Sequence, residues 1–254
     1  MKNKFTIPKS HPRYPSLIIR EGLTEGFKKG IVAAEGLIAQ GRGEAFDYIL
    51  GEKTLPPARK AIKAAAALLL LAKNPVISVN GNAAALIPKE IIKLAKITGS
   101  KIEVNLFYRT EKREKKIKDL LMACGVAHVF GVGKDASATI PELLSERRKV
   151  DPRGIFKADV VLVFLEDGDR TEALIKMGKK VIAVDLNPFS RTAQKANITI
   201  VDNIVRAMPE LIKTSQEFKS RGEQKIKSIL KNYDNKKILK EMVKIIRKNY
   251  VYEK

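Results

Sequence analysis

Residues 159–192, DVVLVFLEDGDRTEALIKMGKKVIAVDLNPFSRT, contain two apolar runs, Val160–Leu165 and Val181–Val184, joined by a segment of helical spacing. Short β-branched runs bounded by polar turns read as buried strands. The helix between them makes the pair parallel, because a crossover of that length returns the second strand in the same direction. The alternation continues on either side. Apolar runs at Val76–Val79, Ile102–Asn105, Ala127–Phe130 and Ile198–Val201 are interleaved with helical patterns such as Lys89–Ile97 and Glu111–Cys124, with Gly99 and Gly125 as C-terminal stops. The expected fold is α/β and Rossmann-like, a mostly parallel sheet flanked by helices, with a helical N-terminal region and a C-terminal helical tail.

A single domain is expected over 1–254, with a mainly helical region at 1–73, the sheet core at 74–203 and terminal helices at 204–254. Ser16 is placed to cap a helix running through Lys29, and Pro56-Pro57 to open the Ala/Leu-rich helix that follows. In the tail, Ile226, Ile229, Leu230, Ile238, Leu239, Met242 and Ile245 fall at helical spacing. That stripe needs an apolar partner, either the body of the protein or a second subunit.

The chain carries 49 Lys and Arg against 28 Asp and Glu, a formal charge of +21. Such an excess suits nucleic acid or polyanionic small molecules, and abundant charge is also a mark of heat adaptation. No groove-reading motif or aromatic-interleaved basic stripe accompanies it, so the reading goes against a nucleic-acid partner. The apolar run Ala64–Ala72 is too short to cross a bilayer, and no signal-peptide pattern opens the chain, so no membrane role and a cytoplasmic location are expected. One cysteine, Cys124, and two distant histidines exclude a disulfide framework and a metal cluster made by the protein alone.

In open α/β sheets ligands bind beyond the carboxyl ends of the strands. Each expected strand empties there into a polar segment: Asn80-Gly81-Asn82, then Tyr108-Arg109, Gly131-Val132-Gly133, Glu166–Thr171, Asp185–Thr192 and Asp202-Asn203. Asn82 lies where a helix entry would offer N–H groups to an anion. Glu166–Thr171 gathers three carboxylates and Arg170, a set able to hold magnesium and phosphate; its ordinary alternative is a turn with Asp169 capping the next helix. Asp185 is suited to ribose hydroxyls and Arg191 to phosphate, against the alternative of an Asn-Pro turn before a helix begun by Ser190. Near the start, Lys9 and His11 lie in a proline-pinned segment, Arg20 follows on a helix, and Arg42 stands between two glycines. The stretch Gly131–Gly133 lacks the acidic partner of a dinucleotide site, and no Walker loop is present.

Taken in order, IPKSHPRYPSL, GLIAQGRGEAFDYILGE, PVISVNGNAAAL, IEVNLFYRT, LEDGDRTEAL, DLNPFSRTA and IVDN resemble archaeal phosphopantothenate synthetase, the 4-phosphopantoate–β-alanine ligase family. The likeness runs from about residue 5 to about 213. It implies an ATP-dependent ligase of coenzyme A biosynthesis that joins 4-phosphopantoate to β-alanine through an acyl-adenylate, releasing AMP and pyrophosphate. ATP as co-substrate and Mg²⁺ are implied, and so is a homodimer. The likeness places ATP at Arg20, Arg42, Asp185, Leu186, Asn187, Arg191, Thr192, Asp202 and Asn203. Lys9, Asn82, Arg109 and Arg170 are the candidates for the other substrates, and His11 and Glu166 for a general base. The alternatives are an adenylate-forming enzyme with another acid, or a basic nucleic-acid-binding protein on a Rossmann-like scaffold.

Overall fold

The structure, a computed structural model, describes residues 7–250; residues 1–6 and 251–254, at the ends of the expected N-terminal region and tail, lie outside it. Three helices lead: α1 (Tyr14–Lys28), α2 (Ala34–Ile49) and α3 (Pro56–Leu71). Pro56 opens α3, where a missing N–H costs nothing. The run Ala64–Ala67 is wholly buried on that helix, and its small side chains let α3 lie close against the sheet.

The core follows as β1 (Pro75–Val79), α4 (Gly81–Leu86), α5 (Pro88–Thr98), β2 (Lys101–Val104), α6 (Glu111–Ala123), β3 (Ala138–Thr139), β4 (Lys149–Val150), β5 (Val160–Phe164), α7 (Gly168–Lys176), β6 (Lys180–Val184), α8 (Arg191–Lys195) and β7 (Ile198–Ile200). Three helices close the chain: α9 (Ile204–Lys219), α10 (Glu223–Lys231) and α11 (Asn235–Tyr250). Five strands form one parallel sheet in the order β2-β1-β5-β6-β7, with Val76 opposite Lys101 and Val161. Alternate residues face opposite sides. Ile77, Leu162, Phe164 and Ile182 join the core under α3, α5 and α9, whereas Val76, Val161, Val163 and Val181 pack on Ala173 and Leu174 of α7.

The expected strand Ala127–Phe130 is corrected to a single bridge, Phe130 to β2, made by Phe130 N–H to Ile102 O and Val104 N–H to Phe130 O. Left-handed glycines at 125 and 131 bracket the segment and leave no room for an extended pairing. The small antiparallel pair β3–β4 gave no sequence signal, as two-residue strands show no period. Ser16 does not cap α1; that helix begins at Tyr14 with Pro15 in its first turn, and the Ser16 hydroxyl donates to Arg13 O. The tail stripe packs on the body: Leu239 and Met242 meet Leu50, Leu55 and Val201, and Ile226 and Ile238 join the main core. Among the described residues no helix is long and apolar enough to cross a membrane.

Glu103 on β2 is wholly buried and ties the loop after β4 to the sheet, accepting from Asp151 N–H at 2.9 Å and Ile155 N–H at 2.6 Å. Gly154 leaves the space this carboxylate occupies, since a Cβ there would sit 1.9 Å from Oε2. Burial raises the Glu103 pKa to about 7, against the lowering effect of the two N–H donors and of Arg170. The fold therefore keeps a proton that the unfolded chain has already released near the ordinary carboxylate value. This term is fully stabilising below the unfolded pKa and is lost as pH rises through about 7. We expect the melting temperature to fall between pH 5 and pH 8, and Glu103→Gln to flatten that fall while costing ~1–3 kcal/mol through its one mismatched N–H. An equal slope in both proteins would refute the assignment.

Candidate active site

The order β2-β1-β5-β6-β7 reverses direction between β1 and β5, which leaves a crevice at their carboxyl ends, because the crossovers leave to opposite sides. A cleft of about 540 Å³ opens there, within the size range of small-molecule sites. Asn80 frames it: its Oδ1 caps α4 by accepting from Ala83 N–H, and its Nδ2 donates to Phe164 O at the end of β5. The next residue, Leu165, is held at φ 45°, a left-handed conformation that branched side chains rarely adopt. That turn directs the following segment across the mouth of the crevice.

Beneath it lies a charged clamp. The Glu166 carboxylate, 1% exposed, accepts from both Arg147 and Arg170, and Arg147 Nε also lies 3.1 Å from Asp167. Arg170 is fully buried and donates to Ser78 Oγ as well. Thr192 Oγ1 donates to the Glu166 carbonyl at 2.7 Å, so the loop is held from both sides. Burial lifts the Asp167 pKa, opposed by Arg147.

Beyond β6, Asp185 accepts from Asn187 N–H through Oδ1 and from Ser190 Oγ through Oδ2, so it orders its own loop and keeps lone pairs toward the cleft. Its pKa is raised by burial, against the Ser190 hydroxyl, Asn187 N–H and Arg42. Ser190 caps α8, as the turn reading expects. Arg191 lies over Gly168 and pairs with Glu172 one turn further along α7, at 3.0 and 2.7 Å, which holds the Glu172 carboxyl at about 2. Arg42 on α2 lines the same region beside Asp185.

The sequence candidates thus divide. Asn82, Arg42, Asp185, Asn187, Arg191, Thr192 and Glu166 line one cleft. Leu186, Asp202 and Asn203 line a small adjoining cavity, where Asp202 is held by Thr54 and Arg206 and Asn203 donates to Asp47. Arg20 is not in the cleft. It pairs with Glu44 in a groove on the other face of α2. Lys9 and His11 are exposed outside the cleft, and His11 Nδ1 accepts from Arg13 N–H. Arg109 is bound to Glu114 and to the Lys149 and Gly131 carbonyls, and the interior holds Arg170, so neither presents a charge to a ligand. Asp169 does not cap α7. Asp167 occupies the N-cap position, and Asp169 lies exposed in the first turn, at the positive helix end. Among the described residues no group of three or more His, Cys, Asp or Glu could hold a metal ion. Three charged cleft residues carry no mark in the sequence reading: Glu35 on α2, Arg113 within the helical pattern Glu111–Cys124, and Arg147 in SERRKVDP, which follows no expected strand end.

The family model for phosphopantothenate/pantothenate synthetase matches residues 57–249. The chain is 55% identical over 241 residues to the 4-phosphopantoate–β-alanine ligase of Thermococcus kodakarensis, covering 95% of this chain and 92% of that one. Identity to the protein of the same name in Methanosarcina mazei is 52% over 243 residues, covering 96% and 95%. The chain belongs to the phosphopantothenate/pantothenate synthetase family. It is thereby a carbon–nitrogen ligase.

Within the cleft, Gly168 is the glycine packed directly against Arg191. A Cβ there would stand 2.5–2.7 Å from the Arg191 Cγ, Cβ and Cδ, close to the backbone end of that side chain, so either Arg191 or the start of α7 must move. We expect Gly168→Ala to cut ligase kcat/KM by ~10-fold or more, the scale of one displaced charged contact. Since φ at this position is not left-handed, any loss of stability should stay within the ~1–3 kcal/mol of local overpacking, and the melting temperature should fall only by that much. Full activity in the variant would show that Arg191 need not hold this place.

Proposed function

We propose that the chain joins 4-phosphopantoate to β-alanine with ATP, giving 4′-phosphopantothenate, AMP and pyrophosphate, as a step of coenzyme A biosynthesis in the cytoplasm. The observation that carries the reading is the cleft at the strand reversal, with Arg42, Asp185, Asn187 and Arg191 toward β6 and Asn82 toward β1. A carboxylate is a poor acyl donor, since its charge repels a nucleophile. In the proposed route one of its oxygens attacks the α-phosphorus of ATP, and pyrophosphate leaves with the electron pair of the broken P–O bond. The free amine of β-alanine then attacks the acyl carbon. The C–N bond forms, AMP departs with the C–O pair, and the amine proton passes to water.

Positioning and charge compensation are the protein's part in this route. Asp185 would accept from the ribose hydroxyls, and Arg42 and Arg191 would face the phosphates. Asp169, exposed at the cleft, would supply the one carboxylate that Mg²⁺ bound largely through phosphate oxygens needs, with Asp167, already paired with Arg147, beside it. Bound there, the ion would neutralise the leaving pyrophosphate. No side chain need act as base if β-alanine binds as the free amine; the Glu166 carboxylate is already engaged by two arginines, and His11 lies outside the cleft. Leu186, Asp202 and Asn203 would act by shaping the floor of the nucleotide end. Arg20 reaches a nucleotide only if a second copy brings it, which a homodimer would allow.

The test is pyrophosphate release with ATP, 4-phosphopantoate and β-alanine, each omitted in turn, with product identified by mass. Turnover should require all three. Equal turnover with another acid in place of 4-phosphopantoate would overturn the substrate assignment.

A further inference from the structure

Arg113 stands at the third position of α6, where three unfavourable effects meet. It is a cation at the positive end of a helix, half-buried, and beside the guanidinium of Arg147. Its Nε is buried with no partner, and among the described residues its side chain makes no ion pair or hydrogen bond. The surrounding carboxylates act on it only at a distance and none pairs with it. Glu114 is taken by Arg109 and by Gly133 N–H, Glu166 and Asp167 belong to Arg147 and Arg170, and Glu35 attracts Arg113 from beyond ion-pair distance. Burial lowers the Arg113 pKa, and Arg147 adds to the lowering. The side chain nevertheless lines the cleft with Asn82 and Tyr108.

A half-buried cation with no ion pair of its own, at the rim of a cleft, is stabilised once an anion enters. Resting on the ligase reading above, we propose that Arg113 receives the phosphoester of the acid substrate and so distinguishes the phosphorylated acid from its unphosphorylated form. Position decides which anion it takes. Arg113 follows β2, and the Asp185–Arg191 loop follows β6, three strand spacings away, or about 14 Å. The reacting carboxylate must face the α-phosphorus at the β6 side. The phosphoester, at the opposite end of the same molecule, then points away from the nucleotide toward β2. A phosphate monoester is nearly a dianion at neutral pH, with three acceptor oxygens for the guanidinium fork.

The experiment compares the wild-type enzyme with Arg113→Met and Arg113→Lys, using 4-phosphopantoate and pantoate as alternative acids. In Arg113→Met the KM for 4-phosphopantoate should rise roughly 10- to 100-fold and the preference over pantoate should collapse by a similar factor, the size of a charge-assisted contact. KM for ATP and β-alanine should hold within about threefold, and Arg113→Lys should restore part of the preference. A loss falling on KM for ATP or β-alanine, on kcat alone, or on nothing would overturn the proposal. Thermal shift gives a second readout. Without ligand, Arg113→Met should melt no lower than wild type, and 4-phosphopantoate should stabilise wild type but not the variant. A lower melting point in the variant would mark a structural residue instead. Should wild type release no pyrophosphate, the ligase reading fails, while the thermal shifts with 4-phosphopantoate and pantoate still decide the role of Arg113.

Discussion

The cleft depends on one buried carboxylate held between two guanidiniums. At the reversal of strand order no crossover covers the strand ends, so the loop leaving β5 has no helix to rest on from above. Glu166 supplies the anchorage. With 1% of its side chain exposed, it joins Arg170 in the interior to Arg147 at the cleft wall, and the backbone of that wall is in turn held by Asn105 Nδ2, which donates to the Arg147 and Lys149 carbonyls. Removing Glu166 would leave two desolvated cations facing each other, a loss of ~3–5 kcal/mol for a buried pair broken from one side. The left-handed turn at Leu165, itself a cost of about 1–3 kcal/mol, is tolerated because this clamp and the Thr192 hydroxyl over-determine the segment that follows.

Seen this way the many arginines fall into separate physical kinds. Arg170 is a structural cation with its charge fully compensated inside the protein, and Arg109 is another, closed over by Glu114 and two carbonyls. Arg147 sits at the boundary, compensated by Glu166 and Asp167 yet exposed to the cleft by its position. Only at Arg42 and Arg113 does positive charge face the cleft with no protein partner among the described residues. The net charge of +21 says nothing about this division, because it counts all of them alike.

That is also why the sequence exposes the fold more fully than the site. Strand–helix alternation is periodic and local, so β1, β2, β5, β6 and β7 stand within a residue or two of their apolar runs, and Gly99 and Gly125 stop their helices with φ at 71° and 98°. Segment 127–130 misled because an apolar pair, Val129-Phe130, is as consistent with a packed loop as with a strand. The strand-end loops around Asn82, Asp185 and Arg191 were legible because the carboxyl end of a parallel strand is a place, not merely a residue type. The state of an arginine is not legible in that way. Arg109 and Arg113 are four residues apart on the same basic segment, and only the partners brought by Gly131, Glu114 and Lys149 make one structural and leave the other bare. For Arg20 the obstacle is α2, whose two faces belong to different grooves although Arg42 and Glu44 are neighbours in sequence.

The two bare cations are nonetheless not loosely placed, and the way they are placed follows from their lack of partners. A cation ordered by its own ion pair would have to break that pair to bind a ligand. One ordered by its backbone would not. Arg113 stands next to Glu114, which Arg109 and Gly133 N–H lock to the sheet edge, so α6 is fixed by the neighbouring residue while Arg113 stays uncommitted. Arg42 lies a little over one turn before Asp47, which Arg206 and Asn203 bind, and Arg206 also grips Asp202 at the end of β7. In both helices the residue that faces the cleft and the residue that holds the helix are distinct. A cleft built in this manner keeps its positive charge oriented before any anion arrives, so binding need not first dismantle an internal salt bridge.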